Sequence, residues 1–209
     1  MTVNVKDENP MSIPWRHYSL NDWDNKKKNI LEVLPKDKFT DYGSGDPMPP
    51  YSETIHQCIK DEMHDFSKWY DYPVVPKGVW YERSKKTYRH PVHNHGTTGF
   101  SGVLYVDFDP EVHQSTVFYL PFTEPTTGTV LTYQPKVKEG DLVIFPSYLL
   151  HEAVPNESDK ERVIVSFNIM CQKLLFACKD QLFGYNADYI MNDMMEKTNR
   201  KYKTPCYNI

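Results

Sequence analysis

Histidine is concentrated in one short segment of the sequence. His90, His93 and His95 lie within six residues of one another, although the 209-residue chain has only eight histidines. Side chains two residues apart on an extended strand point to the same face, so His93 and His95 can reach one metal ion from one side of a sheet. His151 ends a second compact segment, residues 139–151. We interpret His93, His95 and His151 as the ligands of one metal ion.

A set of three histidines would leave three positions of an octahedral ion open to substrate, water or oxygen. Non-haem Fe(II) sites usually combine two histidines with one carboxylate, and here the carboxylate position, two residues after His93, holds His95. Iron, zinc, copper and nickel all accept imidazole ligands. His90 would face the other side of a regular strand, unless a bulge at Pro91 turns it inward.

The strand predicted at residues 162–170 has one face with a polar character. Strict alternation places four residues on that face: Arg162, Ile164, Ser166 and Asn168. A guanidinium group binds a carboxylate through two parallel hydrogen bonds, so Arg162 beside a metal ion would suit a ligand that carries a carboxylate. The alternative is an arginine on a solvent-facing side of the strand, paired with Glu161 or Asp159.

Short β-rich segments separated by turn residues follow one another from residue 78 onward. They are residues 78–83, 87–95, 100–108, 114–120, 129–134, 141–146, 151–155 and 162–170. Strands of this number and spacing predict a mainly β fold, either a sandwich or a jelly roll. No long helix fits between them, which argues against a parallel βαβ sheet.

Helical periodicity is confined to the two ends of the chain. One helix is predicted at residues 19–34, with Ser19 and Asp22 as a capping pair, and a second at residues 52–70. A third helical stretch is predicted at residues 187–197. We expect a single domain. Its parts would be a helical N-terminal extension packed on the core (1–72), a β core (73–170) and a C-terminal helical segment (171–209).

Composition and charge exclude several classes of protein. The net charge of −4 and the absence of a long basic run give no indication of nucleic-acid binding. No stretch of roughly 18 apolar residues is present, so no transmembrane helix is expected. The N-terminus carries charges where a signal peptide needs an apolar core, which indicates a cytoplasmic protein. The four cysteines form no CxxC pair and are expected to be free thiols: Cys58, Cys171, Cys178 and Cys206.

Four linked motifs lie along the β-rich part of the chain. They are His93-Asn-His, Ser101-Gly-Val-Leu-Tyr-Val, Phe145-Pro-Ser-Tyr-Leu-Leu-His and Arg162-Val-Ile-Val-Ser-Phe-Asn. Together they resemble the 2-oxoglutarate- and Fe(II)-dependent dioxygenase superfamily. The greatest similarity is to a group of bacterial and phage oxygenases with the patterns H-x-H, SGVxYV, FPSxLxH and RxxxSFN. The resemblance covers roughly residues 78–170.

The resemblance implies a double-stranded β-helix, which is a cupin-like jelly roll, flanked by N-terminal and C-terminal helices. It also implies Fe(II) and 2-oxoglutarate as cofactors, with His93 and His151 as iron ligands. Arg162 would pair with the far carboxylate of 2-oxoglutarate, Ser166 would lie beside this arginine, and Tyr105 would contact 2-oxoglutarate. No side chain has to act as an acid or a base, so no catalytic residue is implied apart from the ligands.

His95 departs from the pattern of the superfamily, whose members mostly have Asp or Glu at this position. Three arrangements remain open: iron held by three histidines, iron held by two histidines and water, or a different metal. The aspartyl/asparaginyl hydroxylases of the same superfamily function with two histidines, so the departure is compatible with oxygenase chemistry.

The activity that the resemblance implies is hydroxylation coupled to oxidative decarboxylation of 2-oxoglutarate. The substrate would be a small molecule or a protein side chain, with loops 36–50 and 109–128 as lids or substrate walls. No nucleic acid or membrane partner is expected, a homodimer is one option, and the location would be the cytoplasm of the cell or of an infected host. Two alternatives are a three-histidine cupin-type metalloenzyme that does not use 2-oxoglutarate and a non-enzymatic jelly-roll binding module.

Overall fold

Two antiparallel β-sheets form the centre of the computed structural model, which describes residues 12–42 and 48–171. The strands are β1 (Arg16–Ser19), β2 (Val74–Ser84), β3 (His90–His93), β4 (Phe100–Asp107), β5 (Val117–Thr123), β6 (Val130–Tyr133), β7 (Asp141–Pro146), β8 (Leu150–Ala153) and β9 (Arg162–Cys171). The larger sheet has the order β1-β7-β4-β9-β2, and the smaller sheet has the order β3-β8-β5-β6. The prediction of a mainly β fold is confirmed.

Both faces of the larger sheet are buried, because each is covered by a different layer. Val165 and Phe167 of β9 belong to the apolar cluster on the outer face, whereas Ile164 belongs to a second cluster between the sheets. Tyr105 of β4 lies opposite Ile164 and shares its inner cluster. The predicted alternation along β9 is therefore the alternation between two apolar layers, and the site residues lie on the inner side.

Three helices cover the outer face of the larger sheet: α1 (Trp23–Val33), α2 (Ser52–Cys58) and α3 (Lys60–Tyr70). Ile30, Ile55 and Phe66, one from each helix, are fully buried in the outer cluster. None of the helices in the described residues combines the length and the apolar character that crossing a membrane requires.

The predicted start of the first helix is wrong. Ser19 belongs to β1 and pairs with Asp141 of β7, and its hydroxyl group donates to the Asp141 carboxylate at 2.7 Å. Asp22 precedes the helix in a left-handed conformation, with φ of 52°, and makes no capping hydrogen bond. Its carboxylate instead accepts a hydrogen bond from Asn25. Pairing with the sheet therefore outweighs the local capping signal.

The second predicted helix is divided at Ile59, where φ of −103° and ψ of 8° interrupt the regular helix between α2 and α3. Cys58 and Cys171 are free thiols, as predicted. Cys178, Cys206 and the helical stretch predicted at residues 187–197 lie outside the described residues. The boundaries of the three predicted parts of the chain stay a prediction.

Candidate metal centre

Two of the three candidate ligands face each other across neighbouring strands. His93 of β3 lies directly opposite His151 of β8, and their ring centroids are 4.4 Å apart. One nitrogen atom from each of His93, His95 and His151 lies within 4.8 Å of the others. Two nitrogens bound to one ion at about 2.1 Å each can be at most about 4.2 Å apart, so the set needs only a small contraction to hold an ion.

His95 lies just beyond the end of β3, and its position is fixed through its main chain. Its backbone N–H donates to the carbonyl oxygen of Ser147 at 2.9 Å. The Nε2 atoms of His95 and His151 are consequently 3.2 Å apart. The structure therefore brings together all three residues that the sequence analysis proposed as ligands.

The hydrogen bonds of two histidines fix which ring nitrogen is free. Nδ1 of His151 is 2.9 Å from the carbonyl oxygen of Leu149, and Nδ1 of His93 is 2.8 Å from that of Pro91. A carbonyl oxygen can only accept, so each Nδ1 carries the hydrogen and each Nε2 carries a lone pair. Metal-ligating histidines typically donate their other ring N–H in this way.

Burial keeps these imidazoles neutral. It lowers the pKa of His151 to about 3 and the pKa of His95 to about 4, and the neighbouring histidines act in the same direction. The pKa of His93 is also lowered, mainly by burial. Neutral imidazole is the form that binds metal ions, so the ligand set is ready to bind an ion at neutral pH.

A small cavity of about 20 Å³ lies between the sheets beside the three histidines. Trp80, Glu82, His90, Thr116 and Ser166 line it together with the histidines. This volume is about that of one water molecule. A ligand of several atoms can therefore enter only if some of the lining side chains move.

Arg162 is buried on the inner side of β9, with 2% of its surface exposed. One of its terminal nitrogens donates to the carbonyl oxygen of Gln114 at 2.8 Å and the other to that of Val154 at 3.1 Å. Its Nε is buried and has no hydrogen-bond partner among the described residues. Arg162 does not itself line the small cavity. Its spare donor is therefore buried outside the lining of this cavity.

The alternative of a solvent-facing arginine is wrong. Glu161 pairs with Arg83 at 2.9 Å, and Asp159 pairs with Lys86 at 3.1 Å. Both carboxylates that the sequence analysis considered as partners of Arg162 are therefore paired with other cations. Burial of Arg162 without either of them is the arrangement that leaves it available to an anionic ligand.

Ser166 and Tyr105 take different positions relative to the cavity. Ser166 lines it directly. Tyr105 is buried behind it, where its hydroxyl group donates to Thr116 Oγ1 at 3.1 Å and accepts the Thr116 N–H at 3.2 Å. Thr116 lines the cavity, so Tyr105 borders the site through this residue.

For His90 the alternative of a bulge at Pro91 holds, and one lining residue, Glu82, was missed by the sequence analysis. The register of β3 against β8 shifts between His90 and His93, and this irregularity turns His90 toward the cavity. The Nδ1 atom of His90 is 2.5 Å from Oε1 of Glu82. Glu82 was not singled out, although alternation with Trp80 along β2 would have placed it on the inner face.

The two segments that were predicted as lids or substrate walls differ in structure. Within the described part of loop 36–50, the ring of Tyr42 packs against Trp80 at 5.4 Å and against His90 at 5.0 Å. Residues 43–47 of this loop lie outside the described residues. The segment 109–128 is not a single loop as expected, because it contains strand β5.

Comparison with known sequences identifies one family. Residues 78–168 match the family described as "Putative 2OG-Fe(II) oxygenase". The matched segment contains all three histidines and Arg162. No curated protein matches the sequence.

Solved structures share the fold at low sequence identity. A Pseudomonas putida prolyl-4-hydroxylase is 15% identical, with 80% of this chain and 98% of that chain covered and a TM-score of 0.54. The collagen prolyl hydroxylase vCPH of Paramecium Bursaria Chlorella virus-1, solved as a 2OG complex, is 16% identical, with 74% and 94% covered and a TM-score of 0.53. The epimerase SnoN, solved with Fe3+, alpha ketoglutarate and nogalamycin RO, is 12% identical, with 76% and 79% covered and a TM-score of 0.57. These similarities confirm the predicted jelly roll.

Proposed function

We propose that this chain, whose core belongs to the 2-oxoglutarate- and Fe(II)-dependent oxygenase superfamily, is a hydroxylase that couples oxidative decarboxylation of 2-oxoglutarate to hydroxylation of a substrate. The observation that carries the proposal is the convergence of three histidine nitrogens within 4.8 Å, together with an arginine that is buried on the inner side of β9 and has a spare donor. The family match supports the same cofactors.

His93, His95 and His151 would hold the Fe(II) ion. Two of them have their Nδ1–H groups engaged by main-chain carbonyls, so their rings are already oriented with Nε2 free. His95 takes the place of the usual carboxylate, because its backbone is tied to Ser147 and its Nε2 lies beside that of His151. We therefore favour the arrangement with three histidine ligands over the arrangement with water in the third place.

Arg162 would bind the far carboxylate of 2-oxoglutarate through its unused Nε–H. Its two terminal nitrogens are held by main-chain carbonyls, so the guanidinium group has a fixed position. A buried cation without a bound carboxylate is unusual, and an anionic ligand would compensate it. Ser166 would add a hydroxyl group from the same face of β9, and Tyr105 would support this side of the site by holding Thr116.

Iron with 2-oxoglutarate supplies the oxidising chemistry when it is bound, and the protein supplies position and a dry environment. Phe118 and Phe145 pack against the ring of His151, at centroid distances of 5.7 and 4.8 Å, and keep water from that side. Tyr42 and Trp80 form an aromatic wall beside His90 and His95. A substrate would therefore approach along this aromatic wall.

The substrate class is part of the proposal only in broad terms. The fold is shared with prolyl hydroxylases and with an epimerase solved with nogalamycin RO. The proposal therefore includes both a protein side chain and a small molecule as substrate classes.

Turnover of 2-oxoglutarate without substrate tests the proposal. The iron-loaded protein is expected to form succinate slowly in the presence of oxygen. Arg162→Gln should lose most of this activity, and His151→Ala should lose all of it. Arg16→Gln, which changes an arginine that contacts Trp69 and Asp65 on the helical side, should retain it. Equal succinate formation by wild type and Arg162→Gln would contradict the role of Arg162. No succinate formation by the iron-loaded wild type would favour a metalloenzyme that does not use 2-oxoglutarate.

A further inference from the structure

Glu82 is a buried carboxylate, and one of its two oxygens has no hydrogen-bond partner among the described residues. Its side chain is 3% exposed, and it lines the same cavity as the three candidate ligands. Oε1 lies 2.5 Å from Nδ1 of His90, whereas Oε2 is buried and has no hydrogen-bond partner among the described residues. Burying a carboxylate in this way is costly unless it has a partner of opposite charge. The position therefore calls for a cation nearby.

Arg162 does not meet this requirement directly. Its hydrogen bonds go to the carbonyl oxygens of Gln114 and Val154 and, at 3.5 Å, to the hydroxyl group of Ser84. Glu82 is near enough to influence the pKa of Arg162, but burial has the larger effect on that group and lowers its pKa. His90, 2.5 Å from the carboxylate, would neutralise Glu82 only as an imidazolium, and the metal ion would be the other cation near Glu82.

His90 connects Glu82 to the candidate metal ligands. Its ring is stacked on the ring of His93, with centroids 4.2 Å apart and an angle of 20° between the planes. Because the carboxylate of Glu82 accepts a hydrogen bond from Nδ1–H of His90, it fixes the plane and the direction of that ring. A fixed His90 ring in turn limits the rotation of His93, whose Nδ1–H is held by Pro91.

The charge of the site gives Glu82 a second role. Three neutral imidazoles leave the full charge of a divalent ion uncompensated, whereas the usual set of two histidines and a carboxylate cancels part of it. Among the described residues that line the cavity, Glu82 is the only acidic one. None of the three candidate ligands carries a negative charge, and Glu82 supplies one from the lining of the same cavity.

We propose that Glu82 and His90 form a positioning pair for the metal centre, in which His90 orients His93 and Glu82 supplies the negative charge that a set of three histidines lacks. This inference rests on the proposed function, because it requires an ion at the three histidines. Outer-sphere partners of this kind typically change metal affinity by about 10- to 100-fold.

Metal affinity of the purified protein tests the pair, with Co(II) as a redox-stable probe in an anaerobic titration. Glu82→Gln keeps an acceptor for His90 but removes the charge, and it should raise the Kd for Co(II) by about tenfold or more. His90→Gln keeps a donor for Glu82 but removes the stacked ring, and it should also raise the Kd. Glu53→Gln, the same substitution on an exposed residue of α2, should leave the Kd unchanged.

The double variant distinguishes a coupled pair from two separate effects. If Glu82 acts through His90, the combined loss should be smaller than the product of the two single losses, since coupled residues give non-additive effects. The reduction potential of the iron-loaded Glu82→Gln protein should also be higher than that of wild type, because a nearby negative charge favours Fe(III). A residue with only a structural role would not shift the potential in this direction.

Each result separates this inference from the proposed function. Unchanged Co(II) affinity and potential in Glu82→Gln, with binding abolished in His151→Ala, would overturn the positioning pair and leave the metal centre in place. Binding losses that multiply in the double variant would overturn the coupling through His90. A wild-type protein that binds no Co(II) or Fe(II) would overturn both the pair and the proposed function. If Glu82→Gln fails to fold, His90→Gln still decides the role of the stacked ring.

Discussion

The hydroxyl group of Ser101 connects three of the four sequence motifs. It lies 3.0 Å from Oγ of Ser147 in the Phe-Pro-Ser segment and donates to Oδ1 of Asn168 at 3.2 Å. Ser101 is 1% exposed, so both hydrogen bonds involve a buried hydroxyl group. Ser147 also accepts, through its carbonyl oxygen, the backbone N–H of His95. The three motifs thus form one hydrogen-bonded network that places the third histidine.

His95 is the residue at which this chain departs from the usual ligand set, and its contribution can be measured. His95→Ala should weaken Co(II) binding by at least about tenfold, since one of three ligands is lost. His95→Asp should retain binding, because it restores the two-histidine and carboxylate set. The main-chain hydrogen bond to Ser147 does not depend on the side chain, so the loop should keep its position.

Isothermal titration with Co(II) under anaerobic conditions would compare these variants. His17→Gln, which changes a histidine paired with Asp141 away from the cavity, is the matched control and should bind normally. Normal binding by His95→Ala would show instead that water occupies the third position.

At the residue scale, the three histidines could be predicted and Glu82 could not. The spacing of His93 and His95 and the motif that ends in His151 contain enough local information to suggest a shared ion. Alternation with Trp80 gives only the face of Glu82, whereas its burial depends on a partner strand about 80 residues away in the sequence. Buried acidic residues carry no local signal that separates them from exposed ones.

At the scale of elements, the glycine of the Ser-Gly-Val motif is explained by a neighbouring strand. Gly102 of β4 lies opposite Phe167 of β9. A Cβ atom at Gly102 would lie 2.5 Å from the Phe167 ring, which is fully buried. The Phe167 ring of β9 therefore occupies the space that a side chain at Gly102 of β4 would need.

Gly102→Ala should consequently destabilise the fold by about 1–3 kcal/mol through overpacking. Phe167→Leu should lose apolar packing on its own, but it should reduce the cost of Gly102→Ala when the two are combined. Urea unfolding of the two single variants and the double variant gives the coupling energy. Additive losses would contradict the assigned contact.

Strands were predicted more accurately than helix ends, for a physical reason. Turn residues such as Gly96 and Gly140, both with positive φ, separate the strands and mark their limits in the sequence. β1 was missed because it is only four residues long. It lies at the edge of its sheet and has no fully buried residue that would mark it as a strand. Its pairing with β7, more than 100 residues later, also displaced the predicted helix start at Ser19.

At the scale of the whole molecule, the helices and the sheets share one apolar cluster. Phe66 of α3 packs edge-to-face on Phe100 of β4 with centroids 5.0 Å apart, and both residues are buried. β4 also carries Ser101, which belongs to the network beside His95. The helical layer therefore supports the strand that positions the site.

Phe66→Ala should destabilise the protein by about 3–5 kcal/mol and lower the thermal midpoint seen by far-UV circular dichroism and by tryptophan fluorescence equally. Trp69→Ala on the same helix should cost much less, because Trp69 is 42% exposed. Separate transitions for the two probes would show that the helical extension unfolds independently of the β core.

The central claim is that three histidines and Arg162 form a site for Fe(II) and 2-oxoglutarate, and one spectrum tests it most directly. The iron-loaded protein is titrated with 2-oxoglutarate without oxygen, and the weak visible charge-transfer band of the chelate is followed. The account predicts a saturable band that is absent in His151→Ala and that needs more 2-oxoglutarate in Arg162→Gln. A protein that holds iron but develops no band would contradict the account and favour a three-histidine metalloenzyme that does not use 2-oxoglutarate.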